Sequence, residues 1–150
     1  FYSPDARAGF FGISPHTTRA ELQRAVFEGL AFAIVDALQG YPQGGELYLT
    51  GGGAASATWL QIIADCTGRT VVSSAFNELS ARGAAILAAR SVAALAETPP
   101  LAQTRYQPRP QAHARYAALY PVYRLLREQM LPVWQARQAA LQSFSQDRQP

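Results

Sequence analysis

The sequence predicts an α/β fold, a partial sheet with helical crossovers followed by a C-terminal helix. Three observations lead there. Short β-type runs alternate with longer helical runs between Glu46 and Leu95, which argues for parallel strands joined through helices. About half of the 150 residues are apolar, enough for the buried core of one ordinary domain. A proline-rich stretch then separates this unit from a long segment with aromatic residues at helical spacing.

Taken in order, Gly9 to Ser14 (GFFGIS) is an apolar stretch bounded by Gly and Pro and reads as a strand or strand end. Thr18-Arg19-Ala20-Glu21 matches the capping box, in which a hydroxyl and a carboxylate satisfy each other's backbone amides, so a helix starts there. Leu22, Val26, Leu30, Ala33, Ile34 and Ala37 recur at helical spacing. From Phe27 onward the opposite face is apolar too, so this helix is expected to be largely buried before Gly40, Pro42, Gly44 and Gly45 end it. Glu46 to Thr50 reads as a strand, Gly51-Gly52-Gly53 as a tight turn, Ser56 to Thr67 as a helix and Val71 to Ser74 as a second strand. After Asn77-Glu78, the Ala-rich stretch Leu79 to Leu95 is helical. These elements make a lobe of residues 1–97, truncated at its N-terminal strands. A Pro-rich exposed connector is expected over 98–111, a C-terminal helix packing on the lobe over 112–142, kinked or divided by Pro121 and Pro132, and a disordered tail over 143–150.

Composition excludes several chemistries. All thirteen basic residues are Arg, so mechanisms that need a lysine, the P-loop and the Schiff base among them, are ruled out. The net charge of +3 is uneven, with seven Arg against three acids from Ala96 onward, but these arginines are spread along that segment rather than clustered, which reads as a solvated helix face and not as a nucleic-acid footprint. Cys66, alone, permits no internal disulfide and fits a reducing, cytoplasmic home. It lies beside Asp65 late in a helix, with Arg69 its closest cation, and is expected to be an inert, semi-buried thiol; Asp65 is expected to pack at the helix end. His16 and His113 lie far apart with no third ligand evident, so no metal site is expected. No apolar run approaches the ~20 residues of a membrane span.

A strand running into consecutive glycines and then a helix is a recurring nucleotide-binding geometry, because glycines admit a ligand to the backbone and a helix start favours polar or negative groups. Three glycines that merely turn the chain are the alternative. As a dinucleotide fingerprint, Gly51-x-Gly53-x-x-Ser56 has the wrong third residue, and Ser73 and Ser74 stand where an acid is expected. A Walker loop is absent altogether.

Four segments in order, however, carry a resemblance. They are Asp5 to Gly12 (DARAGFFG), Arg19 to Phe32 (RAELQRAVFEGLAF), Thr50 to Asp65 (TGGGAASATWLQIIAD) and Asn77 to Ala89 (NELSARGAAILAA), with a closing run from His113 to Arg124. Together they resemble the C-terminal domain of the FGGY carbohydrate kinases, xylulose kinases nearest, over about residues 3 to 135. The resemblance implies an actin-like ATPase (ribonuclease H-like) C-terminal lobe that contributes most of the adenosine contacts to ATP. It implies that Gly52 and Gly53 lie against adenine and ribose, that Ala54 lines the same surface and that Ser56 stands beside the base. Trp59 and Gln61 are expected to brace their helix against the sheet, and Glu78 to cap or anchor the next one. The family's usual alanine-leucine-glycine there is Ala81-Arg82-Gly83.

The function that the resemblance implies is that of an ATP-dependent sugar kinase using Mg2+ and ATP, with a sugar or polyol as acceptor. The phosphate loops, sugar pocket and catalytic aspartate are expected upstream of residue 1, leaving no catalytic residue in this chain. Two rivals are a stand-alone nucleotide-binding or regulatory module without kinase activity, and a Rossmann-type oxidoreductase that NAD rather than ATP would protect thermally. The edge beside GFFGIS, lacking neighbouring strands, is expected to be covered by self-association into a homo-oligomer or by a preceding portion of chain.

Overall fold

A computed structural model describes residues 4–42, 44–74, 78–92 and 100–146. The capping box forms as expected: the Thr18 hydroxyl accepts from the Glu21 amide at 3.3 Å, and the Glu21 carboxylate accepts from the Thr18 amide at 2.7 Å. It opens α1 (Arg19–Ala37), which tightens into a 3-10 turn over Leu38–Gly40 before the chain turns toward the sheet. The chain continues through β1 (Leu47–Leu49), α2 (Ala57–Thr67), β2 (Val71–Ser74), α3 (Leu79–Val92), β3 (Gln103–Tyr106) and α4 (Pro110–Gln146).

The sheet of the described residues runs β1-β2-β3. β1 and β2 are parallel, with Leu47 opposite Val71 and Leu49 opposite Ser73, and α2 makes the crossover between them. β3 lies antiparallel on the other side of β2, with Val71 opposite Tyr106 and Ser74 opposite Gln103. The core sits around α2, whose Leu60, Ile62 and Ile63 are at most 1% exposed and join Ala31 and Phe32 of α1, Val71 of β2 and Tyr116 of α4. Burying each of those large side chains contributes about 2 kcal/mol. α2 is buried over most of Leu60 to Cys66 because α1 and α4 both pack on it and the sheet adjoins it.

The structure corrects four expectations. Gly9 to Ser14 forms no strand, and Phe10, Phe11 and Ile13 are exposed; no described strand lies beside them to pair their amides, and Gly12 turns at φ 80°. α1 is not largely buried: Ala31 and Phe32 are, but Val26, Phe27 and Leu30 stay exposed, because α2 and α4 cover one side of it only. The proline-rich connector contains β3, whose Gln-Thr-Arg-Tyr pattern lacks an apolar run and is flanked by Pro100, Pro108 and Pro110. Finally, α4 begins at Pro110, where a missing amide costs nothing, and runs undivided through Pro121 and Pro132 to Gln146, past the expected start of a disordered tail at 143. Asn77, residues 93–97 and residues 147–150 lie outside the described residues.

Polar contacts fasten α4 to the layer beneath. The Tyr116 hydroxyl donates to Glu28 Oε1 at 2.7 Å and accepts from Arg24 Nη2 at 2.7 Å. Tyr120 donates to Asp36, which also pairs with Arg127. Burial and the Glu28 carboxylate push the Tyr116 hydroxyl up to about 12, so it holds its proton for that hydrogen bond at any ordinary pH.

Candidate functional site

The loop between β1 and α2 is shaped by glycine at one position above all. Gly51 sits at φ 85°, ψ −172°, a conformation that is essentially glycine's alone. The next four residues, Gly52–Ala55, form a 3-10 turn, closed by Ala54 N–H donating to Gly51 O at 3.0 Å and Ser56 N–H to Gly53 O at 3.3 Å. The Ser73 hydroxyl of β2 donates to Ala54 O at 3.3 Å, tying the turn to the sheet. Ser56 is the N-cap of α2, its hydroxyl accepting from Trp59 N–H at 3.3 Å. We expect Gly51→Ala to lower the unfolding free energy by about 2 kcal/mol, measured by urea denaturation.

The four residues singled out in the sequence thus occupy one continuous turn, with Gly52 and Gly53 exposed and Ala54 and Ser56 half-buried. Between Thr50 and Leu60 no residue carries a charge. The turn cannot perform acid–base chemistry. It can present backbone amides and carbonyls, a hydroxyl and a flat uncharged surface, and the start of α2 adds the partial positive charge of its free amides. A Cβ on Gly52 would meet nothing within 4 Å, so that face is open, whereas one on Gly53 would touch the Trp59 indole.

The remaining expected residues lie elsewhere. Gln61 ties α2 to the segment after β3, its amide donating to Gln107 O at 2.8 Å and to Asp65 Oδ1 at 3.0 Å. Trp59 packs on Phe27 of α1, with ring centroids 5.5 Å apart, and against the buried core. Glu78 is exposed, and its carbonyl accepts from Arg82 N–H at the start of α3. His16 is exposed in the approach to α1, while His113 Nδ1 lies 2.9 Å from Asp65 O. Cys66 is buried, and its thiol is pushed up to about 12, chiefly by burial and then by Glu28 and Asp65. It is an inert thiol.

One cluster was not visible in the sequence. Asp65, fully buried, accepts at Oδ1 from Arg109 N–H at 2.8 Å and at Oδ2 from Arg109 Nε at 3.0 Å and Nη2 at 2.5 Å. Burial pushes its carboxyl up, but the Arg109 guanidinium and amide and the Gln61 amide outweigh that and hold it below the usual range. The pair joins α2 to the start of α4. The partners stand 44 positions apart in the chain, so no local signal announces it.

Comparison with known proteins places this geometry. Residues 1–92 match the FGGY family of carbohydrate kinases, C-terminal domain. A probable L-xylulose kinase of Pasteurella multocida is 33% identical over 125 residues, which cover 80% of this chain and 26% of that protein. An erythritol kinase of Brucella abortus is 34% identical over 144 residues, covering 89% of this chain and 28% of that protein. Among solved structures, a xylulose kinase from Rhodospirillum rubrum superposes with a TM-score of 0.75 at 29% identity, over 88% of this chain and 29% of that one. The chain therefore spans less than a third of the length of these relatives. Its fold is that of the C-terminal part of the actin-like sugar kinases. The match over residues 1–92, which takes in the glycine turn, α2, β2 and α3, establishes that this chain belongs to the FGGY family of carbohydrate kinases.

Proposed function

We propose that this chain is the adenosine-seating part of an ATP-dependent sugar kinase, with the ketose and polyol kinases among its relatives pointing to a hydroxyl of a ketose or polyol as acceptor. The observation that carries the reading is the uncharged turn Gly51–Ser56 between a parallel strand and a capped helix, with an open face at Gly52. Such a surface suits the flat, neutral base and ribose, and it offers no cation for the phosphates. Gly52 and Gly53 would lie against adenine and ribose, with Ala54 and Ser56 beside them. ATP, when bound, supplies the γ-phosphate, and the contribution of these residues is positioning. Among the described residues no three His, Cys, Asp or Glu side chains come together to hold a metal ion.

Calorimetry with ATP tests the seat. The wild-type chain is expected to bind ATP in preference to NAD, and Gly52→Val, whose added side chain projects into open space and not into the fold, is expected to weaken binding at least about tenfold with little change in thermal midpoint. Equal affinity in the two proteins would refute the assignment. The chain alone is expected to show no ATP-dependent phosphorylation of xylulose, glycerol or erythritol.

A further inference from the structure

Three consecutive glycines have more backbone freedom to lose than any other tripeptide, so a turn built from them needs support from outside itself. Its internal hydrogen bonds are few, and the one from Ser56 N–H to Gly53 O is long at 3.3 Å. Support comes from Trp59. A Cβ built on Gly53 would lie 3.4 Å from the Trp59 Nε1 and 3.7 Å from its Cδ1, in van der Waals contact, so the indole edge lines the side of the turn on which a side chain at 53 would sit. The other side of the indole meets Phe27 of α1, with the ring planes inclined at 41°. Through its backbone N–H, Trp59 also holds the Ser56 cap. One residue therefore joins three parts, its half-buried side chain lying between α1 and the glycine turn and its backbone N–H holding the N-cap of α2, while the face at Gly52 remains open.

We propose that Trp59 is a positioning residue for the nucleotide seat: its ring is the floor that fixes the Gly53 backbone, held in turn by Phe27. The inference rests on the reading that the turn seats adenosine. It assigns the role to the ring's packing surface, which another aromatic side chain can supply and a small one cannot. It also places an indole next to the bound base, so that Trp59 reports on occupancy.

The test uses the whole 150-residue chain with adenosine diphosphate as probe. Trp59→Phe is expected to bind within about threefold of wild type and Trp59→Ala about tenfold or more weakly, by calorimetry below the unfolding range of each variant. In a Trp134→Phe background, where Trp59 is the remaining tryptophan, the probe is expected to change the emission intensity or maximum. This measurement leaves residue 59 untouched, so it stands even where Trp59→Ala fails to fold. If wild type binds the probe but Trp59→Ala binds equally well, or emission in the Trp134→Phe chain does not respond, the role of Trp59 is overturned and the seat stands. If wild type binds no probe at all, the seat itself falls, and this inference with it.

Discussion

Arg109→Ala is expected to lower the unfolding free energy by about 3 kcal/mol, the cost of leaving a buried carboxylate without its charged partner. Asp65 is fully buried, and two of its four short contacts come from the Arg109 guanidinium, so removing that group strips the charge compensation while leaving Asp65 the backbone amide at 109 and the Gln61 amide. Urea denaturation at pH 7 measures the loss. Asp65→Asn, which removes the charge along with its need for a cation, is expected to cost less than Arg109→Ala. The pair also sets a pH dependence. In the folded protein the Asp65 carboxyl is held below its unfolded value, which is about 3.9. Its contribution is therefore fully present above the unfolded value and is lost as pH falls from there through the folded one. Denaturation midpoints in wild type should fall between about pH 5 and pH 2 more steeply than in Asp65→Asn. Parallel curves would show that Asp65 does not couple folding to protonation.

Gly68→Ala is expected to be comparably damaging, by about 3 kcal/mol, for two additive reasons. Gly68 ends α2 in the left-handed region at φ 67°, where a Cβ is strained. A Cβ there would also lie 2.6 Å from the His113 Cε1, and that imidazole is held in place by its contact with Asp65 O. The double variant with His113→Ala should recover the steric part and keep the backbone part, so thermal melts of the four proteins separate them. Gly83→Ala in α3, where a Cβ meets nothing within 4 Å, provides the contrasting case and should stabilise by about 0.5 kcal/mol. A loss at Gly68 no larger than the backbone term alone would mean that α4 is not docked on the end of α2.

Asp65, Arg109, Gly68 and His113 all lie at the seam between α2 and α4, the part of the molecule least legible in the sequence. Local patterns carried much of what lies outside that seam. The Thr18 to Glu21 capping box, the Leu47 strand and the α2 helix are each specified by residues within a few positions of one another, and each is found where those residues put it. β3 escaped because Gln103 to Tyr106 gain their strand conformation from pairing with β2, not from an apolar alternation of their own. The exposure of Val26, Phe27 and Leu30 escaped because a helix apolar on two faces says only that both can be covered, and the described residues cover one. Arg109 escaped as the partner of Asp65 because arginine on a proline-flanked segment has many readings until the fold brings α2 beneath it. The glycine turn was legible as a shape. Its support was not, since the Phe27 to Trp59 to Gly53 packing crosses three elements.

Adenosine seated on the turn Gly51–Ser56 should be visible residue by residue, in the backbone amide chemical shifts of the isotopically labelled chain recorded as adenosine diphosphate is added. The expected result is a set of shifts that saturate and are largest at Gly52, Gly53, Ala54 and Ser56, with smaller ones reaching Trp59. Saturating shifts centred elsewhere, for instance in the 860 Å³ groove between Phe10, Phe11 and Trp134, with the glycine turn unmoved, would contradict the assignment of the seat.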